Sequence, residues 1–159
     1  MRLTIETPEQ MERLGAAVAR LLGAGDVVAL DGELGAGKTT LTRGLGAELG
    51  VRGTVASPTF VLARTHPRVE GEPPLVHVDA YRLPGIAELD DLDLDFAGSI
   101  VVVEWAEGML DGIVDSWLGI RIDRPTGGAP DDEEQPREVE ILGHGPRWAG
   151  FDPADLRLA

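Results

Sequence analysis

The fold of this chain is decided by residues 27–40, which read VVALDGELGAGKTT. The apolar run 27–30 is typical of a buried strand. The segment from Gly32 to Thr39 then matches the pattern G-x-x-x-x-G-K-[ST] in full. Leucines at 41, 45 and 49 follow with helical spacing, and Gly50 ends that helix. A glycine-rich loop between a strand and a helix predicts a phosphate-binding loop (P-loop), because its backbone N–H groups and the helix dipole both favour phosphate.

Three side chains at the end of this loop and directly after it have expected roles toward ATP and Mg²⁺. Lys38 is the single lysine beside 13 arginines, and it should contact the β- and γ-phosphates. The Thr39 hydroxyl should ligate Mg²⁺, while Thr40 lies one residue further on, within reach of the α-phosphate. The chain has no asparagine and so lacks the guanine-reading N-K-x-D motif, which favours adenine.

A P-loop needs an acidic partner for the metal at the end of a hydrophobic strand. Residues 100–103 are the strongest buried-strand signal in the chain, and Glu104 follows them directly. We interpret Glu104 as that partner. The alternative is a strand-terminal glutamate that is merely solvated.

A second candidate carboxylate, Asp79, lies in the alternating segment 75–81. It shares one face of that segment with His77. Asp79 is expected to position or deprotonate the attacking water, or to bind the metal through water. It could equally be an ordinary sheet-face carboxylate paired with Arg82. His77 by itself is more often structural than catalytic.

The rest of the chain predicts one α/β domain with a parallel core sheet and flanking antiparallel strands. Thr7 as N-cap, Pro8 at the first helical position and Gln10 closing a capping box begin a first helix. Its apolar spacing continues to position 22, and glycines at 23 and 25 end it. Further expectations are a strand at 60–63, a turn at 66–74, a short helix at 108–117, two late strands around 118–122 and 139–141, and between them an exposed, mobile acidic loop at 125–136.

Composition limits the classes of partner and compartment. The net charge of −14 disfavours direct contact with nucleic acid and favours a protein partner, unless it only maintains solubility. The chain has no cysteine, no apolar run long enough to span a bilayer and no signal-like N-terminus, so we expect a cytoplasmic protein without a membrane association.

Four segments in order carry a family resemblance: GELGAGKTT at 32–40, SPTF at 57–60, HVDAYRL at 77–83 and VVVEW at 101–105. Together they resemble the TsaE (YjeE) family of bacterial ATPases, over roughly residues 5–142. The resemblance implies a P-loop NTPase-like three-layer fold. It also implies weak ATP hydrolysis that depends on partners. This hydrolysis would regulate or reset a complex of TsaB-type and TsaD-type proteins, which forms threonylcarbamoyladenosine in tRNA beside the anticodon. The chain itself would contact tRNA only indirectly.

We expect a single domain at 1–142, followed by a C-terminal tail at 143–159. The resemblance also implies roles for individual positions of that domain. The backbone and side chains of Gly35, Ala36, Gly37, Lys38, Thr39 and Thr40 bind phosphates, Thr39 and Glu104 ligate Mg²⁺, and Asp79 is needed for hydrolysis. Trp105 packs beside the nucleotide. Ser57, Pro58 and Thr59, which alone are only a turn signal, correspond to a switch-like loop. Thr7, Pro8 and Arg137 are the candidates for two further nucleotide contacts.

Two other functions fit a P-loop of this size. A small kinase would transfer the γ-phosphate to a metabolite or nucleotide, but the arginines here are scattered and form no clustered lid segment. A nucleotide-gated binding module would bind ATP without useful turnover. Hydrolysis that depends on Asp79 would distinguish the ATPase from both.

Overall fold

The computed structural model describes residues 2–33, 35–51, 63–69, 71–79, 94–104, 110, 112–124, 136–152 and 155–156. These residues form an α/β fold with one mixed β-sheet and two α-helices. The elements in chain order are β1 (Arg2–Ile5), α1 (Pro8–Ala19), β2 (Val27–Gly32), α2 (Lys38–Leu49), β3 (Ala63–His66), β4 (Leu75–Asp79), β5 (Ile100–Glu104), β6 (Trp117–Asp123), β7 (Arg137–His144) and a 3-10 turn (Pro146–Trp148).

The sheet has seven strands in the order β1-β7-β6-β2-β5-β4-β3. Its four central strands, β6, β2, β5 and β4, are mutually parallel. Antiparallel strands complete both edges, β7 and β1 beside β6, and β3 beside β4. The P-loop NTPase-like fold class, with a parallel core and flanking antiparallel strands, is therefore confirmed. Strand β2, which leads into the P-loop, lies at the centre between β5 and β6.

Helix α1 begins where its capping residues predict. The Thr7 hydroxyl accepts a hydrogen bond from the Gln10 backbone N–H at 3.1 Å, and Pro8 takes the first helical position. The Gln10 side chain accepts from the backbone N–H of Glu6 at 2.7 Å. A capping box would use the N–H of the N-cap residue, Thr7, so the expected box is wrong by one residue. The helix ends at Ala19, so its expected continuation to position 22 is wrong. Residues 21 and 22 instead donate i→i−3 hydrogen bonds in a tighter turn.

Two glycines allow α1 and α2 to touch along their backbones. A Cβ on Gly15 would lie 2.0 Å from the carbonyl oxygen of Leu41, and one on Gly44 would lie 2.1 Å from that of Glu12. No side chain fits at such distances. The two helices therefore cross at the separation that only glycine permits.

The sheet separates two apolar clusters. One contains inward residues of α1 and α2 together with Leu30, Val102, Ile120 and Ile141. The other lies on the opposite face and contains Val76, Val78, Val101 and Val103. Both α-helices of the described residues contact each other and the first cluster. Segments 94–96 and 113–117 pack against the second cluster.

Strand β1 was not expected from the sequence. It pairs with β7, and β7 itself runs to His144, beyond the domain boundary set at 142. The segment from position 143 contributes to the core, because Trp148 and Leu156 are both buried in the first cluster. The Arg147 guanidinium donates to both carboxylate oxygens of the buried Asp26, at 3.0 and 3.1 Å. The division into one domain and a tail stays a prediction, although this tail is packed.

Several expected features fall partly or wholly outside the described residues. They include the strand at 60–62, the segment 86–93 and the acidic loop from 125 to 135. Of the expected helix at 108–117, the described residues 112–117 contain turns, and Trp117 already begins β6. Within the described ranges, no helix is long and apolar enough to cross a membrane.

Candidate functional site

The P-loop follows the carboxyl end of the central strand β2. Gly35 and Gly37 have φ values of 80° and 118°, which L-residues with side chains rarely adopt. A Cβ on Gly32 would lie 2.7 Å from the carbonyl oxygen of Ile122 in the neighbouring strand. These glycines let the loop turn sharply and place Gly37 as the N-cap of α2. The described glycines of the predicted cradle thus have backbone conformations that permit a tight loop, and phosphate binding by it stays a prediction.

Lys38 opens α2 and folds back over the loop that precedes it. Its Nζ donates hydrogen bonds to the carbonyl oxygens of Gly32 at 2.6 Å and Glu33 at 3.0 Å. The residue is only 6% exposed. Loss of hydration on burial lowers the pKa of Lys38, and the negative charges of nearby carboxylates, Glu104 foremost and then Asp31, oppose that shift. The two hydrogen bonds, rather than the pKa, fix the Lys38 side chain over the loop.

Two predicted acidic residues end adjacent parallel strands at the same level. Asp79 of β4 and Glu104 of β5 are direct register partners. Glu104 also pairs with Leu30 of β2, the residue before Asp31. Both carboxylates, together with Asp31, interact electrostatically with Lys38. The fold brings these charged groups to the carboxyl edge of the parallel sheet, where α/β proteins commonly bind ligands.

A buried histidine contacts one of these carboxylates. The Nε2 atom of His77 lies 2.7 Å from Oε2 of Glu104, and the two residues are 0% and 4% exposed. Sequence reasoning placed His77 on the same strand face as Asp79 but did not find this contact. The available signal was the pairing of two parallel strands, since a residue two positions before Asp79 lies diagonal to Glu104.

The N-terminal segment and the last strand border the P-loop. Arg137 of β7 is 8% exposed and donates from Nε to the carbonyl oxygen of Ala36 at 3.1 Å. Its register partner is Ile5, the last residue of β1 before the Thr7 cap. One turn into α1, the Met11 side chain lies against Gly37, with its Cε 3.2 Å from where a Cβ would stand. The segment carrying Thr7 and Pro8 therefore lies close to the loop.

The remaining predicted residues divide into two groups. Thr39 and Thr40 occupy the first turn of α2, next to Lys38, and both are partly buried. Trp105 and the switch-like segment of Ser57, Pro58 and Thr59 lie outside the described residues. Their roles stay predictions, as does the assignment of each described site residue to a nucleotide or metal contact.

The described residues include oxygen donors of the kind that Mg²⁺ takes in a nucleotide site. They contain no cluster of three or more His, Asp or Glu residues that could hold a metal ion. In nucleotide sites Mg²⁺ takes only one or two protein ligands and completes its shell with phosphates and water. The buried Glu104 carboxylate and the Thr39 hydroxyl are oxygen donors of that kind. The glycine cradle and Lys38 supply donors for phosphate.

Known proteins resemble this chain over most of its length. The sequence matches the family model described as threonylcarbamoyl adenosine biosynthesis protein TsaE over residues 5–129. A tRNA threonylcarbamoyladenosine biosynthesis protein TsaE from Streptomyces coelicolor is 56% identical over 149 residues, which cover 92% of this chain and 99% of the relative. The protein of that name from Bacillus subtilis is 38% identical over 144 residues, 89% of this chain and 84% of the relative.

A solved structure has the same fold. The crystal structure of Bacillus subtilis YdiB matches with a TM-score of 0.70 and 29% sequence identity. The match covers 95% of this chain and 89% of that one.

Proposed function

This chain belongs to the TsaE family, and from that premise we propose that it is a Mg²⁺-dependent ATPase of tRNA threonylcarbamoyladenosine biosynthesis. One observation carries the proposal. Glu104 ends β5, the neighbour of β2, and its register partner Asp79 ends the next strand, β4; both lie within electrostatic reach of the P-loop lysine. A site that only bound phosphate would need the loop and Lys38 but not two further carboxylates at the same sheet edge.

Each group has a distinct task in this proposal. The N–H groups of 35–40 and the Lys38 ammonium bind the phosphates of ATP and stabilise the negative charge that shifts toward the leaving oxygen. Thr39 and Glu104 hold Mg²⁺, which when bound neutralises phosphate charge. Asp79 orients the attacking water and accepts its proton. The water oxygen bonds to the γ-phosphorus as the bond to the β-phosphate oxygen breaks, which yields ADP and phosphate.

The proposed hydrolysis regulates or resets a complex of TsaB-type and TsaD-type proteins, which perform the modification. The strongly acidic chain, of net charge −14, supports a protein partner and leaves tRNA contact to others. In this proposal Trp105 packs beside the nucleotide, and the switch-like segment 57–59 senses the γ-phosphate. We place the protein in the cytoplasm, where tRNA is modified.

ATP hydrolysis with and without TsaB-type and TsaD-type partners, each with and without tRNA, tests the proposal. Partners should stimulate phosphate release by the wild type, whereas Asp79→Ala should bind ATP with little change and hydrolyse it at least about 100-fold more slowly. Absence of stimulation would refute the regulatory role. Stoichiometric transfer of the γ-phosphate to an acceptor would instead identify a kinase.

A further inference from the structure

His77, on the strand next to that of Glu104, contacts the Glu104 carboxylate but has no role in the proposed reaction. His77 is completely buried in β4, and its Nε2 lies 2.7 Å from the Glu104 Oε2 atom. The other ring nitrogen, Nδ1, is also buried and has no hydrogen-bond partner among the described residues. A buried polar atom without a partner costs free energy, so the placement of His77 calls for an explanation, and its one described polar contact is with Glu104.

The chemistry of the two groups determines the direction of this hydrogen bond. Glu104 must be ionised to bind Mg²⁺, and an ionised carboxylate can only accept, so in that state the imidazole donates from Nε2. A proton on Nδ1 would be a buried donor without an acceptor, whereas an unprotonated Nδ1 only lacks a donor. The ring therefore carries its proton on Nε2 and presents it to Glu104.

The bond constrains the orientation of the carboxylate. Glu104 has three side-chain torsions, and Oε2 is restrained by a short contact to a ring that is enclosed in the sheet. Both residues lie in adjacent central strands, which offer a rigid base. The other carboxylate oxygen, Oε1, takes no part in this bond. A metal ligand that is held in this way loses little conformational freedom on binding.

We propose that His77 is a positioning residue, which holds the Glu104 carboxylate through Nε2–H in the orientation that takes up Mg²⁺ with the nucleotide. This inference rests on the proposed function, because Glu104 is a metal ligand only there. It assigns His77 no contact with nucleotide or water. A histidine that merely stabilised the core would affect folding but not the metal dependence of binding.

The test uses affinity for a non-hydrolysable ATP analogue, measured by calorimetry on the full chain with and without Mg²⁺. The ratio of the two affinities isolates the metal's contribution. His77→Leu removes the donor at similar size, and His77→Gln keeps an N–H near the position of Nε2. His66→Leu is the matched control, since His66 is a buried histidine of the neighbouring strand β3 and pairs with Leu75.

His77→Leu should reduce the Mg²⁺-dependent gain in affinity about 10- to 100-fold, and His77→Gln should restore it to within about threefold of wild type. Affinity without Mg²⁺ should not change, and His66→Leu should match the wild type in both. A gain in His77→Leu equal to that of the wild type overturns the positioning role. A wild type that binds the analogue no better with Mg²⁺ would instead overturn the metal dependence in the proposed function.

A second measurement applies if His77→Leu does not fold. The ¹H–¹⁵N imidazole spectrum of the wild type should show His77 as the Nε2–H tautomer, with its proton protected from exchange in the nucleotide complex. The Nδ1–H tautomer, or a rapidly exchanging proton, would contradict donation to Glu104.

Discussion

Arg137 and Ala36 are 101 residues apart in sequence, yet the Arg137 Nε donates to the Ala36 carbonyl oxygen at 3.1 Å. The last strand of the sheet therefore supports the P-loop directly. Arg137 is almost fully buried, so its removal leaves a carbonyl group of the loop without a charged donor.

Arg137→Met should lower the free energy of unfolding by about 1.5–3 kcal/mol, the range for a hydrogen bond to a charged group. It should also weaken binding of an ATP analogue about tenfold, since 1.4 kcal/mol of loop support corresponds to that factor. Urea denaturation and calorimetry measure the two effects. Arg2→Met is the control, because Arg2 is highly exposed in its ion pair with Glu140 and should change neither.

Lys38→Met should abolish measurable ATP binding and should also alter how stability depends on pH. Burial lowers the pKa of Lys38 below 10.5, so the folded protein releases this proton at a lower pH than the unfolded chain. Between those two pKa values the unfolded chain binds more protons, and stability rises with pH. The stability of the wild type relative to Lys38→Met should therefore increase as the pH rises toward 10.5.

Urea denaturation of both nucleotide-free proteins at several pH values between neutral and 10.5 measures that difference. Comparison of the two proteins cancels the titration of every shared group. A stability difference that falls with rising pH would mean that the folded state favours the charged lysine.

Gly44→Ala should destabilise the protein although alanine is the better helix former. Helix propensity alone predicts a gain of about 1 kcal/mol. The new Cβ would lie 2.1 Å from the Glu12 carbonyl oxygen, so α1 and α2 must separate. We expect a net loss of about 1–3 kcal/mol, as for other overpacked sites. Gly23→Ala is the control, because a Cβ at that position would meet no neighbouring group within 4 Å; equal thermal stability of the two variants would refute close helix packing.

Arg147→Met should reduce stability and leave nucleotide affinity intact. It removes two hydrogen bonds to the buried Asp26 and one to the Leu21 carbonyl oxygen at 2.9 Å. Asp26 keeps a bond from the Gly23 N–H, and the Arg147 side chain is 48% exposed, so we expect a moderate loss of about 1–3 kcal/mol. A concurrent loss of ATP affinity would show that the C-terminal segment reaches the nucleotide site.

Local patterns were sufficient to predict the centre of the fold. The P-loop, its flanking strand and helix, and the strands that end at Asp79 and Glu104 follow from short motifs and from periodicity, which act over a few residues. The start of α1, with Thr7 as its N-cap and Pro8 at its first position, was predictable for the same reason. The end of α1 was not predictable. Residues 21 and 22 keep the apolar spacing and pack against the core, but they do so in a turn with i→i−3 hydrogen bonds instead of α-helical ones.

Contacts between distant segments could not be predicted in this way. Strand β1 is four residues long and exists through its pairing with β7, which begins at Arg137. The bond between His77 and Glu104 depends on the register of two strands separated by more than 20 residues. Burial of Trp148 depends on where the chain returns after β7. Each requires knowledge of how the sheet assembles.

The strand order has a consequence for synthesis on the ribosome. Strand β2 carries the P-loop near the start of the chain, but both of its neighbours, β5 and β6, come from residues 100–123. A nascent chain that has just completed α2 holds the whole phosphate motif without a sheet to support it. Pairing across such sequence separations is slow. Under the proposed function, ATP can therefore stabilise the fold only after residue 123 has been added, and the hydrogen bond from Arg137 to the P-loop forms later still.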